Sequence, residues 1–372
     1  MAVSERERER EKIVLFWLMQ IEGIGPVKLR QCYEKTGSFA CLYNIEEKEA
    51  MERKLFSETD WRHLQQAKKH FAEREESYHT LAERGIQFIS FLDESYPKRL
   101  LFLHDRPAAL FVRGKLPSEG ASAAIVGARN CSLYGKSFTE YLARKLSEQG
   151  IQIVSGLAAG IDGAAHRGAL EAGGETFGVL GCGITRCYPD ENYPLYEAML
   201  TQGGVISEYA PSVLPLAGNF PARNRIISGL ADAILVMEAG ERSGALITVE
   251  MALEQGKEIF ALPGRATDRL SRGCNRLIQN GASILLTGEE VLDYFSLRYQ
   301  KKLNVYEKNI NRLAKPQKML YSFLDSEPKC LEEIVKKTGM GVSTCVNALL
   351  ELELQGYIRQ TAGLFYRIQS QT

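Results

Sequence analysis

Val154-Ser155-Gly156-Leu157-Ala158-Ala159-Gly160-Ile161-Asp162 decides the fold. An apolar run ends in small residues, the chain turns through glycines, and helical periodicity follows toward His166. Strand, glycine turn, helix is the repeating unit of parallel α/β proteins. The same texture recurs on both sides. Short apolar runs at 87–91, 109–112, 123–126, 151–154, 176–180, 205–207, 233–238, 258–262 and 283–286 read as strands. Most are apolar throughout rather than alternating, which suits strands buried on both faces. The chain from 81 to 297 is therefore expected to form a doubly wound, Rossmann-like parallel sheet of the α/β class.

The flanks differ. Residues 1–80 read as short helices, a small domain of the SAM or helix–hairpin–helix kind. An apolar stretch over 13–21 precedes Gly23-Ile24-Gly25-Pro26, and more helix is expected around 61–84. In a helix–hairpin–helix turn the hairpin amides hold a phosphate and a following lysine helps; Lys28 and Arg30 are available here. A protein-contact module with a remnant hairpin is the other reading. Residues 298–315 are polar, with Lys301, Lys302, Lys308, Arg312 and Lys315, and read as a linker. Residues 316–372 give three helices, the second closed by Gly339 and the third capped by Ser343, then a hairpin across Ala362-Gly363. Three helices and a hairpin make a winged helix.

Composition sets the limits. A chain of 372 residues fits two or three domains. Lys+Arg and Asp+Glu both number 46, so any positive surface must be local; nucleic-acid binders more often show a basic excess. The eight cysteines form no C-x-x-C pair and the five histidines are scattered, so no metal site is expected. The cysteines read as reduced, buried thiols. The opening Ser4-Glu5-Arg6-Glu7-Arg8-Glu9-Arg10-Glu11-Lys12 suits a solvated helix or frayed tail, not a signal peptide. With no apolar run of membrane-spanning length, a cytoplasmic protein is expected.

In a doubly wound sheet, ligands bind beyond the carboxyl ends of the strands. The residues there are Gly127-Ala128-Arg129, Ser155-Gly156 through Asp162, Gly181-Cys182-Gly183, Asn219-Phe220-Pro221-Ala222-Arg223-Asn224-Arg225, Ser243-Gly244-Ala245-Leu246-Ile247-Thr248, Pro263-Gly264 and Arg272-Gly273-Cys274-Asn275. Glycine-rich turns leave backbone N–H groups free at helix N-termini, which suits phosphate oxygens. Arg129, Arg223 and Arg225 supply charge. Asn224 and Asn275 can hydrogen-bond phosphates, sugars or base edges. Phe220 offers a ring, and a ring beside arginines suits a stacked base above anchored phosphates.

Cofactor chemistry lacks its signatures. No G-x-G-x-x-G follows the first core strand, Ser155 stands where a ribose-binding acid belongs, and Gly240-Glu241-Arg242-Ser243-Gly244 lacks the ending of a Walker A loop. No Ser–His–Asp set or carboxylate pair is evident from spacing. A binding protein without cofactor, metal or catalytic residue is expected.

The runs Ile125-Val126-Gly127-Ala128-Arg129, Val154 to Asp162, Asn219 to Gly229 and Ser243 to Thr248 together resemble the DNA-processing protein A family (DprA, also called Smf). Tyr96-Pro97 and Pro107-Ala108-Ala109-Leu110-Phe111 match as well, and the likeness covers about 90 to 290. The resemblance implies a bacterial cytosolic protein of natural transformation. Such a protein binds incoming single-stranded DNA, forms a homodimer through the Rossmann-like domain, and loads the RecA recombinase. Carried over motif by motif, the family's DNA pocket falls on Gly127, Arg129, Ser155, Gly156, Gly160, Phe220, Arg223, Asn224, Arg225, Ser243, Gly244 and Thr248; Asn275 joins them from the residue reading. A lysine sometimes found near the phenylalanine is replaced here by Ala217-Gly218-Asn219.

The alternative is a hydrolase of nucleotide-derived ligands, of the cytokinin-activating type, on a related Rossmann fold. Its P-G-G-x-G-T-x-x-E loop is not matched: Glu250 stands two residues after Thr248, and Met251 takes the catalytic position. One residue is about 100° of helix rotation, so Glu250 is expected to face away from the pocket. In the winged helix, the third helix carries Glu351 and Glu353 but no Lys or Arg, and Asn347 is its one good base reader. A protein-contact or auxiliary module is expected there, with Lys336, Lys337, Arg359 and Arg367 outside that helix.

Overall fold

The computed structural model describes residues 5–298, 313–324, 329–354, 358–361 and 364–367. Residues 299–312, most of the expected linker, lie outside them. The chain forms two compact units, Met1–Val291 and Leu292–Thr372.

All nine expected strands form, and they join one sheet. They are β1 (Gln87–Ser90), β2 (Ala109–Gly114), β3 (Ser122–Val126), β4 (Gln152–Ser155), β5 (Thr176–Leu180), β6 (Gly203–Ser207), β7 (Ala233–Val236), β8 (Glu258–Ala261) and β9 (Ser283–Ile284). Their order is β1-β2-β6-β5-β4-β3-β7-β8-β9. From β3 the chain runs outward through β4, β5 and β6, then returns to β7 on the other side of β3. The order reverses between β3 and β7, the switch point at which doubly wound sheets bind ligands. β2 runs antiparallel to β6 and β1 antiparallel to β2, so one edge departs from the all-parallel expectation. Val112 faces Ile206 and Phe111 faces Ser207 across that antiparallel pair.

Six helices precede the sheet: α1 (Glu5–Leu18), α2 (Pro26–Thr36), α3 (Ala40–Asn44), α4 (Glu47–Glu52), α5 (Glu58–Lys68) and α6 (Phe71–His79). The charged opening of α1 is helical, and Ile13, Val14, Leu15, Phe16, Trp17 and Leu18 are all buried. A helix segment buried on every side has no solvent face left. The Phe16 ring meets Phe88 of β1 and Phe111 of β2 at centroid distances of 5.7 and 5.9 Å, so these helices share a core with the sheet. The hairpin lysine is not free: Lys28 Nζ donates to Gly23 O at 2.9 Å and to the buried Asp60 at 2.5 Å. Burial pushes Asp60 up, but hydrogen bonds from Lys28 and Ser57 outweigh it and hold the carboxyl below its ordinary range. Arg30 pairs with Glu34 and contacts His104. Both cations expected to reach a phosphate there have intramolecular partners.

Between and after the strands lie α7 (Lys98–Leu101), α8 (Leu133–Glu148), α9 (Ile161–Glu171), α10 (Tyr193–Met199), α11 (Asn219–Leu230), α12 (Gly244–Glu254) and α13 (Arg272–Gln279). Successive β2 residues face opposite layers: Phe111 joins the core shared with α1, while Leu110 and Val112 join the one containing Ile226 and Ile227 of α11. Four cysteines are buried (Cys32, Cys182, Cys274 and Cys345), three are partly buried and Cys41 is exposed, so burial holds for half of them. No group of three His, Cys, Asp or Glu among the described residues could hold a metal. No helix among them is long and apolar enough to cross a membrane.

The second unit is a winged helix. Helices Lys315–Phe323, Leu331–Thr338 and Val342–Leu354 pack around Leu320, Leu324, Ile334, Leu349 and Leu352. Gly339 closes the second helix in the left-handed conformation. The third starts at Val342, two residues before a Ser343 cap would place it, with Gly341 O accepting from Cys345 N at 3.0 Å, so Ser343 lies inside it and not at the cap. β11 (Ile358–Thr361) and β12 (Leu364–Arg367) form the hairpin, and β10 (Lys329–Cys330) adds a strand beside β12. The hairpin turn at 362–363 lies outside the described residues.

Candidate nucleic-acid interface

A cleft of about 900 Å³ opens at the carboxyl ends of β3 and β7. Its floor is built by hydrogen bonds between turns. Ser132 caps α8, and its N–H and hydroxyl donate to the buried Glu238 after β7, which ties the loop after β3 to the switch point. Asp162, at the start of α9, accepts from Gly156 N at 3.1 Å and Ala158 N at 3.4 Å and so shapes the turn after β4. Burial pushes its carboxyl up, although the Arg223 charge opposes the shift. Gly160 has φ +75°, and a Cβ there would lie 2.4 Å from the carbonyl oxygens of Ala128 and Arg129. Only glycine lets these two turns touch.

Eight of the thirteen predicted residues line this cleft: Gly127, Arg129, Phe220, Arg223, Asn224, Ser243, Gly244 and Thr248. The half-buried Phe220 ring lies against Gly181 at the end of β5, where a Cβ would approach it to 2.8 Å. The exposed Arg129 guanidinium lies 5.2 Å from the ring centroid and Tyr188 stands beside it at 5.6 Å. Such a cation–π contact contributes about 0.5–1 kcal/mol when exposed. Ser243 caps α12 by accepting from Ala245 N at 3.3 Å, leaving a helix N-terminus open at the cleft. Thr248 is buried, one turn further along α12.

Arg223 is a structural cation as well as a lining residue. Its Nη1 donates to Gly156 O at 2.7 Å and to Val179 O. Burial pulls its pKa down to about 10 against the raising effect of Asp162. It stays charged at neutral pH, locked beneath Phe220 at 6.0 Å.

The other five residues do not line the cleft. Ser155 is buried and its hydroxyl donates to Ile125 O at 2.6 Å, joining β4 to β3. Gly156 and Gly160 shape the turns just described. Arg225 is the main correction. It lies on α11 two residues beyond Arg223, about 200° around the helix, and its side chain is 5% exposed between Glu208 and Asp105. Burial works to lower its pKa, but Glu208 and Asp105 outweigh it and raise it. Asn275 is the second: its amide brackets Gly264, accepting from the N–H at 3.1 Å and donating to the carbonyl at 2.9 Å. Both hold the scaffold.

Arg242, Arg269 and Arg272 also line the cleft; of these the sequence placed only Arg272 at the strand ends, and it assigned charge to none of them. The available signal was an arginine directly before the Ser243 cap, and another opening α13. His166 is fully buried, its Nδ1 lies 2.7 Å from Thr176 Oγ1, and burial pulls its pKa down to about 3, so it is neutral. Glu250 is exposed and does not line the cleft, as its helix phase requires, which leaves the hydrolase reading without its carboxylate.

Residues 87–296 match the family model described as DNA recombination-mediator protein A, and residues 307–363 match the DprA winged helix domain. Protein Smf of Escherichia coli is 40% identical over 283 residues, 74% of this chain and 76% of that protein. The X-ray structure of DNA processing protein A from Streptococcus pneumoniae aligns with a TM-score of 0.62 at 33% identity, covering 79% of this chain and 98% of that one. DNA processing protein A from Helicobacter pylori, whose structure describes a unique single-stranded DNA binding mode, aligns with a TM-score of 0.51 at 29% identity, over 58% of this chain and 97% of that one.

Proposed function

This chain belongs to the DNA recombination-mediator protein A family, and from that premise we propose that it binds single-stranded DNA in the switch-point cleft and passes it to the RecA recombinase during natural transformation, without catalysing a reaction. The observation that carries the reading is the Phe220 ring, held at the cleft between Gly181 and the Arg129 guanidinium. An aromatic face accepts any unpaired base, and neighbouring cations and helix N-termini accept its phosphates. A duplex hides its base faces in the stack, so the cleft selects single strands. The single-stranded DNA binding mode described for the Helicobacter pylori relative supports the same ligand class.

Gly127, Arg129, Phe220, Arg223, Asn224, Ser243, Gly244 and Thr248 form the contact set in this reading, and Ser155, Gly156, Gly160, Arg225 and Asn275 hold it in shape. The protein acts in the cytoplasm as a homodimer joined through the Rossmann-like domain. Exposed Leu133, Tyr134 and Tyr141 on α8 support a protein contact on that domain, since contiguous apolar surface marks such sites. The test is a fluorescence titration of a labelled oligonucleotide with and without RecA. Formation of a ternary complex, and faster RecA filament growth on a strand already covered by a single-strand-binding protein, is the expected result. Competition between RecA and this protein, with no ternary species, contradicts the loading role.

A further inference from the structure

The cleft has walls of unequal charge. Beside Phe220, the segment Leu214-Pro215-Leu216-Ala217-Gly218 carries no cation, and Leu214 and Leu216 are exposed at 55% and 58%. Across the cleft, Arg242, Arg269 and Arg272 all line it and all are exposed. One carboxylate, Glu241, lies on the same wall. Elsewhere in the sheet unit Arg99 is tied to Asp232 and Arg225 to Glu208.

Arg269 and Arg272 sit on a fastened loop, and Arg242 on the turn after β7 to which it is tied. Ala239 N donates to Leu270 O and Gly273 N to Ala239 O, each at 2.8 Å, which staples the segment after β8 to the end of β7. The Asp268 carboxylate accepts from Leu270 N at 3.1 Å, and Asn275 brackets Gly264. The open start of α12 shares this wall, and a Cβ on Gly244 would meet no atom within 4 Å.

We infer that Arg242, Arg269 and Arg272 form a second phosphate-holding station, which takes the backbone of nucleotides beyond the base on Phe220. This rests on the single-strand reading above and adds the path of the strand. Phe220 stands over the end of β5, while the arginines follow β7 and β8. In the order β5-β4-β3-β7-β8 that is three strand spacings to β7 and four to β8, about 14–19 Å at about 4.8 Å each. A stacked strand rising about 3.4 Å per nucleotide crosses it in about four to six nucleotides, and an extended strand in fewer. The strand thus runs across the sheet edge toward β8, away from the uncharged wall at Ala217.

The test compares full-length wild type, the triple variant R242Q/R269Q/R272Q, the charge-keeping variant R242K/R269K/R272K and Phe220→Ala, using oligothymidines of four and twelve nucleotides. Each phosphate contact contributes a salt slope of about −0.7, which amounts to about fivefold in affinity per contact at 0.1 M salt. The Gln triple is expected to bind the twelve-mer about a hundredfold more weakly, with a slope smaller by about 2. It is also expected to lose most of the gain between four and twelve nucleotides. The Lys triple keeps most of that gain and the wild-type slope. Matching melting temperatures show that the variants fold. An unchanged slope and length dependence in the Gln triple overturns the station while Phe220→Ala still weakens both lengths. A Lys triple as weak as the Gln triple also overturns it. If Phe220→Ala binds both lengths normally, the single-strand reading itself fails.

Discussion

Replacing Phe220 by alanine separates a binding ring from a core ring. The side chain is half-buried, packed on Gly181 and covered by Arg129 at 5.2 Å. A fully buried Phe→Ala change costs roughly 3–5 kcal/mol; the partly exposed ring implies about 2–3 kcal/mol. In a unit of this size that lowers Tm by about 4–10 °C. Losing one base–aromatic stack costs about 1–3 kcal/mol of binding, a weakening of about 5- to 150-fold. Arg129 also loses its aromatic partner, so the effect belongs toward the upper part of that range. Phe220→Tyr and Phe220→Trp retain a π-face and are expected to restore most of the affinity. Fluorescence anisotropy with an oligothymidine gives the binding arm and differential scanning fluorimetry the folding arm. Wild-type affinity in a folded Phe220→Ala protein refutes the platform, and a Tm loss beyond about 10 °C shows the ring to be core.

Arg225→Ala leaves the partly buried Glu208 without its cation and is expected to cost about 2–4 kcal/mol of stability, with the remaining folded protein binding single strands normally; a selective binding defect at unchanged Tm contradicts the scaffold role. His166 gives the fold an acid limit. Unfolded, the imidazole takes a proton below about pH 6.5; folded, only near pH 3. The unfolded state binds the extra proton in that window, so stability falls as pH drops through it, by on the order of 5 kcal/mol at pH 3. Chemical denaturation from pH 7 to 4 is expected to show this slope in the wild type and a shallower one in His166→Gln. In the winged helix, Glu351 accepts from Gln317 and Glu353 from Gln360 N, so both carboxylates are fixed by partners within the module. Deleting the chain after residue 313 is expected to keep most single-strand affinity, and the isolated module to bind duplex weakly and without sequence preference. Sequence-selective, submicromolar duplex binding by that module contradicts the auxiliary role.

The fold was legible because its signals are local. Each strand is a short apolar run, and several, such as β4 ending at Ser155 and β5 running into Gly181, turn through Gly or Ser toward a helix. The antiparallel edge was not legible, since β2 is as apolar as a parallel strand and only its long-range pairing to β6 sets its direction. At the site, position in the chain identified the turns but not the direction of each side chain. Arg223 and Arg225 are two residues apart on α11 and so point to opposite faces, and the partner of Arg225, Glu208, comes from a distant turn after β6. Helix phase alone could have separated them. Asn275 differs from its expected place for another reason: its carboxamide satisfies a neighbouring loop backbone, a demand no spacing reveals. Lys28 likewise looked free until Asp60, 32 residues away, took its ammonium.

A cleft that reads unpaired bases above anchored phosphates must tell a single strand from a duplex. A titration of full-length protein with one labelled strand, single or annealed into a blunt duplex, at several salt concentrations tests this. Far tighter binding of the single strand is expected at every salt, with a log–log slope of about −0.7 for each phosphate held. Equal affinity for the two forms at the same salt contradicts it.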